Sequence, residues 1–197
     1  AQLDAFKDSV RSFLLTRTFG AFPANPASFS KKMEFRTLDG GKYGEEIFSF
    51  ISEPGWRLKV DIHWENNPDN LNPLIIVLRN YDEERWTAEG FAYEIQSGNN
   101  IAFFETRGTG EFGWSPELQW HVRRAAAWTG RTLASMQVYD LLRCIEFCRT
   151  LPGIDPDRIS IAARDEMGVV ALYGALIDGH CDSVILRNPP ETQNAKD

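Results

Sequence analysis

The sequence is short of positive charge, of histidine and of cysteine, and each shortage removes a class of function. Lysine and arginine number 21 against 28 acidic residues, a formal net charge of −7. A nucleic-acid footprint needs a basic stripe, so no nucleic-acid partner is expected. Three cysteines do not make a disulfide framework. Cys144 and Cys148 stand four apart on one helix face, poorly oriented for a bond, and all three cysteines read as small buried apolar residues. There is no Cys-x-x-Cys and no His-rich cluster, so no metal is expected, and nothing in the chain calls for a cofactor. No apolar run approaches the ~20 residues of a membrane span, so no membrane partner is expected. Internal repeats and low-complexity tracts are also missing.

What remains is a chain of 197 residues, enough for one sizeable core. Hydrophobic residues make up 43% and charged residues 25%, ordinary for a globular protein. Six tryptophans and thirteen phenylalanines are an aromatic surplus that serves core packing first. Trp114, Trp120 and Trp128 fall in one loop-like region and would also suit stacking on carbohydrate. The chain begins Ala-Gln, which fits a mature exported protein or an excised fragment.

Residues 3–16 carry Leu3, Phe6, Val10, Phe13 and Leu14 at helical spacing. Gly20, Pro23 and Pro26 end that unit, and residues 21–44 read as loop, with Asp39-Gly40-Gly41 as a turn. A β-hairpin follows: Glu46 to Ser52, the turn Glu53-Pro54-Gly55, then Leu58, Val60, Ile62 and Trp64 alternating with polar residues. Leu74 to Leu78 and Ile101 to Phe104 are continuous apolar runs, as expected of strands buried on both faces, with a short helix over 84–96 between them. Gly108 to Gly130 reads as a loop-rich excursion. A helix is expected over 131–150, with Val138, Leu142, Ile145 and Cys148 inward. Ile159 to Ala163 is a third buried strand. Met167, Val170, Ala171 and Gly174 mark a helix with a small-residue face, and Ser183 to Leu186 is a fourth strand that reads as buried. Strands alternating with helices predict an α/β fold: a mostly parallel sheet with helices on both faces and the antiparallel hairpin at one edge.

The most informative stretch is Ile159 to Gly168. A buried strand runs into a helix through a sharp turn, the architecture of a Gly-x-Ser-x-Gly nucleophile elbow. The serine slot holds Asp165, and the glycine slots hold Ala163 and Met167.

Several segments, in order and spacing, make the chain similar to the acetyl xylan esterase and cephalosporin-C deacetylase group of α/β-hydrolases. Leu78-Arg79-Asn80-Tyr81 lies where that family has a His-Gly-Tyr oxyanion loop. Glu105-Thr106-Arg107-Gly108-Thr109-Gly110 resembles its Asp-x-Arg-Gly-x-Gly. Val138 to Arg143 resembles the helix before the elbow, and Ile154 to Ile159 the approach to the elbow strand. The match runs from about Glu45 to Pro190. The resemblance implies a carboxylic-ester hydrolase acting on acetylated carbohydrate or a small ester, exported as such enzymes are. It implies residues 1–44 as an N-terminal helix and loop extension, and 45–197 as a partial α/β-hydrolase domain. The family's acid and histidine follow two further strands, so the fold is expected to be C-terminally incomplete. An adjoining domain or a second copy is then expected to cover the last strand's edge.

The resemblance carries Asp165 to the nucleophile position, Tyr81 and Glu166 to the oxyanion hole, and Arg107 to substrate binding. Two readings of Asp165 stand side by side. It attacks as a carboxylate, as in haloalkane dehalogenases and epoxide hydrolases, which still need a histidine to activate water. Otherwise it is an unused elbow residue, paired with Arg164 or Arg107 or capping the next helix. An active site completed by another polypeptide is a further possibility. His63, His121 and His180 are the only histidines, and none follows a late strand. Arg107 has its own alternative, fixing a loop through carbonyls or carboxylates. Tyr81 could equally be an edge-packed aromatic. A degenerate, non-catalytic domain is therefore expected, with an active esterase or Asp-nucleophile hydrolase as the alternative.

Overall fold

A computed structural model describes residues 2–40, 43–81 and 83–192. Gly41 of the expected turn lies outside these residues. The elements are α1 (Gln2–Phe13), β1 (Lys32–Asp39), β2 (Tyr43–Glu53), β3 (Trp56–Trp64), β4 (Asn72–Leu78), α2 (Arg85–Ile95), β5 (Asn100–Phe104), α3 (Pro116–Trp128), α4 (Leu133–Arg149), β6 (Ile154–Arg164), α5 (Met167–Asp178) and β7 (Val184–Arg187). All strands join one sheet in the order β1-β2-β3-β5-β4-β6-β7. The four strands β5, β4, β6 and β7 run parallel. The pairings β1/β2, β2/β3 and β3/β5 are antiparallel. The parallel body of the sheet and the antiparallel edge are as expected, and β1 extends that edge beyond the hairpin.

The central strand β4 explains both cores. Its side chains alternate between faces. Leu74, Ile76 and Leu78 point to the larger core, with Leu141, Ile145 and Phe147 of α4 and Val170 and Ala171 of α5. Ile75 and Val77 point to the smaller one, with Ala88, Phe91 and Ala92 of α2. Each fully buried Leu or Ile contributes about 1.5–3 kcal/mol, so a strand buried on both faces must read as one apolar run. Helices therefore cover both faces, as expected. The small-residue face of α5 is also found: a Cβ on Gly174 would sit 2.5 Å from Leu141 Cδ2, so glycine lets α5 lie close against α4.

Four expectations change. Within 21–44, β1 is a strand rather than loop and ties the N-terminal extension to the sheet. It is exposed over nearly its whole length, so no buried face announces it. Within 108–130, α3 is a helix. Its N-cap Ser115 accepts from Leu118 N at 3.3 Å and Pro116 occupies the first turn, but only Ala126 is buried, so the apolar period is missing. Helix α1 forms where expected, yet most of its stripe faces outward: Leu3, Phe6 and Phe13 are exposed, Val10 is half-buried against the larger core, and only Leu14, just past its end, is buried. Strand β7 is half-buried, not buried, because it is the edge strand.

A candidate site at a serine-less elbow

Strand β6 ends at Arg164 and α5 begins at Met167, so Asp165 and Glu166 form the turn. Asp165 has φ +47, the left-handed region, one of four non-glycine residues so placed among those described. For an L residue this conformation costs about 1–2 kcal/mol, with Asp among the better tolerated. The strain is held from both sides: Asp165 N donates to Arg187 O of β7 at 3.0 Å, and Gly168 N donates to Asp165 O at 3.0 Å. Gly168 keeps room for Pro189, whose Cβ would lie 3.3 Å from a Cβ added there. The elbow geometry therefore survives without its serine. Ala163 and Met167, in the glycine slots, are both buried.

A cleft of about 1020 Å³ opens over the elbow. Asp165, Glu166 and Tyr81 all line it, so the structure brings three of the four candidate residues together. Both carboxylates are exposed, and neither has a hydrogen-bond or ion-pair partner among the described residues. The expected partners of Asp165 are engaged elsewhere. Arg164 pairs with Glu83, and Arg107 with Asp140. Nor does Asp165 cap α5, whose N-cap is Glu166, without a side-chain cap. The Tyr81 hydroxyl donates to the Trp114 carbonyl, which commits the phenol to holding the loop before α3.

Arg107 is the correction. It is 1% exposed and does not line the cleft. Its Nε donates to Asp140 Oδ2 at 2.8 Å and one terminal nitrogen donates to Glu53 Oε2 at 3.1 Å. Its backbone N–H also donates to Asp140 Oδ2, at 3.0 Å, and the Trp56 ring lies 5.0 Å from the guanidinium. Ser52 Oγ donates to Asp140 Oδ1 at 2.6 Å. Arg131 closes the set on Glu53 at 3.0 Å. Burial alone would raise the Glu53 carboxyl, but the hydrogen bond from Arg131 and the Arg107 charge hold it below its ordinary value. This is a buried, charge-balanced clamp on the loop between β5 and α3. Glycines let that loop turn tightly: Gly108 and Gly110 have φ +83 and +50, and a Cβ at Gly110 would overlap the Glu105 carboxylate.

The cleft has no acyl-transfer set. Among the described residues, neither Ser, Cys nor His lines it. His63 is on β3, His121 packs edge-on against Trp120 on α3, and His180 follows α5. Cys144 and Cys148 are buried away from the cleft. Burial pushes the Cys144 thiol well up, and burial together with Asp178 pushes Cys181 up to about 12, which disfavours the thiolate at both. Sequence reading missed the wall opposite the elbow, formed by Gln119 and Arg123 of α3 and by Arg131. The Ser115-Pro116 start of α3 was the available signal. Three metal-ligating side chains cluster once among the described residues, at Glu45, Asp61 and His63, and not in the cleft. No helix described is long and apolar enough to cross a membrane.

No family model matches the chain, and no curated relative matches it. Solved structures do match. One is a Bacteroides fragilis protein assigned as an acetyl xylan esterase, with TM-score 0.73, 14% identity, and coverage of 92% of this chain and 52% of that one. A second is acetyl xylan esterase 1 from Thermoanaerobacterium sp., with TM-score 0.67, 14% identity, and coverage of 88% and 56%. A third is a glucuronoyl esterase from Solibacter usitatus, with TM-score 0.62, 12% identity, and coverage of 88% and 56%. This chain thus spans about half the length of the structures it resembles. Its fold is the α/β-hydrolase-like fold of these structures.

Proposed function

We propose that this chain is an esterase-like domain that does not hydrolyse esters by itself and retains its cleft to bind acetylated carbohydrate or a small ester, supporting a deacetylation carried out elsewhere. One observation carries this: the elbow residue is Asp165, and no Ser, Cys or His lines the cleft around it among the described residues. Acyl transfer by a serine needs an oriented base beside the nucleophile, and neither partner is there. The names of the matching structures favour acetylated xylan or a glucuronoyl ester as the ligand class. The exposed Trp120 and Trp128 on α3, whose neighbouring face walls the cleft, fit carbohydrate stacking.

The half-buried edge strand β7, with Val184, Ile185 and Leu186, is where we place a covering partner, an adjoining domain or a second copy. Light scattering tests this. Concentration-dependent association is expected, and a stable monomer over a wide range would contradict it.

A second reading is favoured by one specific feature. Asp165 is strained, and its carboxylate is exposed and without a partner among the described residues, the disposition of a nucleophilic carboxylate. Titrating the chain with acetylated xylo-oligosaccharide, alongside an acetyl-ester assay, separates the two. Binding without turnover supports the proposal. Turnover abolished by Asp165→Ala supports the second reading.

A further inference from the structure

We infer that a divalent-cation site lies on the sheet, formed by Glu45, Asp61 and His63. The strand register builds it. Glu45 of β2 pairs directly with His63 of β3, and Asp61 stands two residues before His63, on the same face. One donor atom from each lies within 4.8 Å of the others. His63 Nε2 is 3.4 Å from Asp61 Oδ1 and 4.0 Å from Glu45 Oε1. Around a tetrahedral ion with bonds of about 2.0–2.2 Å, donor atoms stand about 3.3–3.5 Å apart. One edge of that tetrahedron is already in place, and Glu45, whose Oε1 lies 4.0 Å from His63 Nε2 and accepts from Arg85, must move inward to complete the face.

The partners of these atoms point the same way. Asp61 Oδ1 and His63 Nε2 are shielded from water and, with the imidazole neutral, make no hydrogen bond among the described residues; a protonated His63 pairs with Asp61 across their 3.4 Å. Buried polar atoms are seldom left so, and a shared ion satisfies both. The other Asp61 oxygen, Oδ2, accepts from Arg85 at 3.0 Å, and Arg85 also reaches Glu45 Oε1 at 3.1 Å. Arg85 begins α2 and is half exposed, so it can orient the carboxylates from outside and yield the inner position. Two carboxylates face one guanidinium at the donors themselves, while Lys59, Arg79 and Glu105 border the adjoining cavity. A small cavity of about 120 Å³, bordered by Asp61 and Arg85, gives water ligands room. The Phe103 ring, 4.9 Å from His63, fixes the imidazole.

An imidazole with two carboxylates suits Zn²⁺ rather than Mg²⁺ or Ca²⁺, which favour oxygen donors throughout. His63 pairs with Ile101 at the start of β5, the opposite end of the sheet from the elbow, so the ion would hold β2 to β3 and take no part in the cleft. No motif signals it, because positions 45 and 63 meet only through strand register.

The test is titration of the full chain with Zn²⁺ by calorimetry and with Co²⁺ by visible absorption, near neutral pH. One equivalent should bind, with tetrahedral Co²⁺ bands, and Zn²⁺ should raise the melting temperature. Affinity should fall about tenfold or more in His63→Ala and in the near-isosteric Asp61→Asn, stay unchanged in His121→Ala, and weaken as pH falls. Circular dichroism checks that the variants fold, and if His63→Ala does not, Asp61→Asn decides. Absence of binding to the parent chain, or equal binding by Asp61→Asn, overturns the site.

Discussion

Around Arg107, two carboxylates and two guanidinium groups neutralise one another: buried Glu53 and Asp140 against buried Arg107 and half-buried Arg131, which also lines the cleft. At the elbow, Asp165 and Glu166 are exposed and adjacent in sequence, and their carboxylates have no partner among the described residues. Both places keep geometry expected of an esterase-like fold. The first keeps its polar chemistry complete, and the second keeps only the backbone. The clamp must stay complete, because an unpaired buried charge is costly. The elbow carboxylates carry no such constraint, since both residues are exposed. The two regions thus differ in burial: one is tied to the stability of the fold, and the other can vary at little cost to it.

The largest effect is expected in the clamp. Arg107→Ala leaves Asp140, fully buried, without its main partner, and should cost about 3–5 kcal/mol in urea unfolding. A loss below about 1 kcal/mol would mean the network is no more than a surface ion pair. Acid should weaken the same region next. Glu53 titrates below its ordinary value of 4.5 when folded. The sign follows: its stabilisation is fully present above that value and is lost as pH falls through the lower, folded pKa. Asp178 behaves alike, since burial would raise its pKa but the Arg149 hydrogen bond lowers it. Melting temperature should therefore drop steeply on the acid side, and Arg107→Ala should flatten that drop.

The elbow should respond weakly and in the opposite direction. Asp165→Gly relieves the left-handed strain and should raise stability by at most about 1 kcal/mol. A clear destabilisation would show that the Asp165 side chain makes a stabilising interaction. The comparison would then lose its sharpness.

How much of this was legible in the sequence follows burial. The runs at 74–78, 101–104 and 159–163 announce themselves because both faces are covered. Helix α3 and strand β1 bury almost nothing, so neither leaves a periodic signal. The elbow was legible because strand, turn and helix are consecutive. The role of Arg107 was not, because its partners Asp140 and Glu53 lie 33 and 54 residues away. Its exposed alternative, substrate binding, is what a motif suggests when the partners are out of sight. The largely exposed stripe of α1 is the reverse case, a strong period that this fold does not bury.

Hydrolysis of a simple acetyl ester by the purified chain tests the central claim most directly. The parent chain should show no rate above the buffer background, and neither should Asp165→Ser, because a serine restored to the elbow still has no base among the described cleft residues. A parent rate well above background that disappears in Asp165→Ala would contradict the account and make Asp165 a working nucleophile.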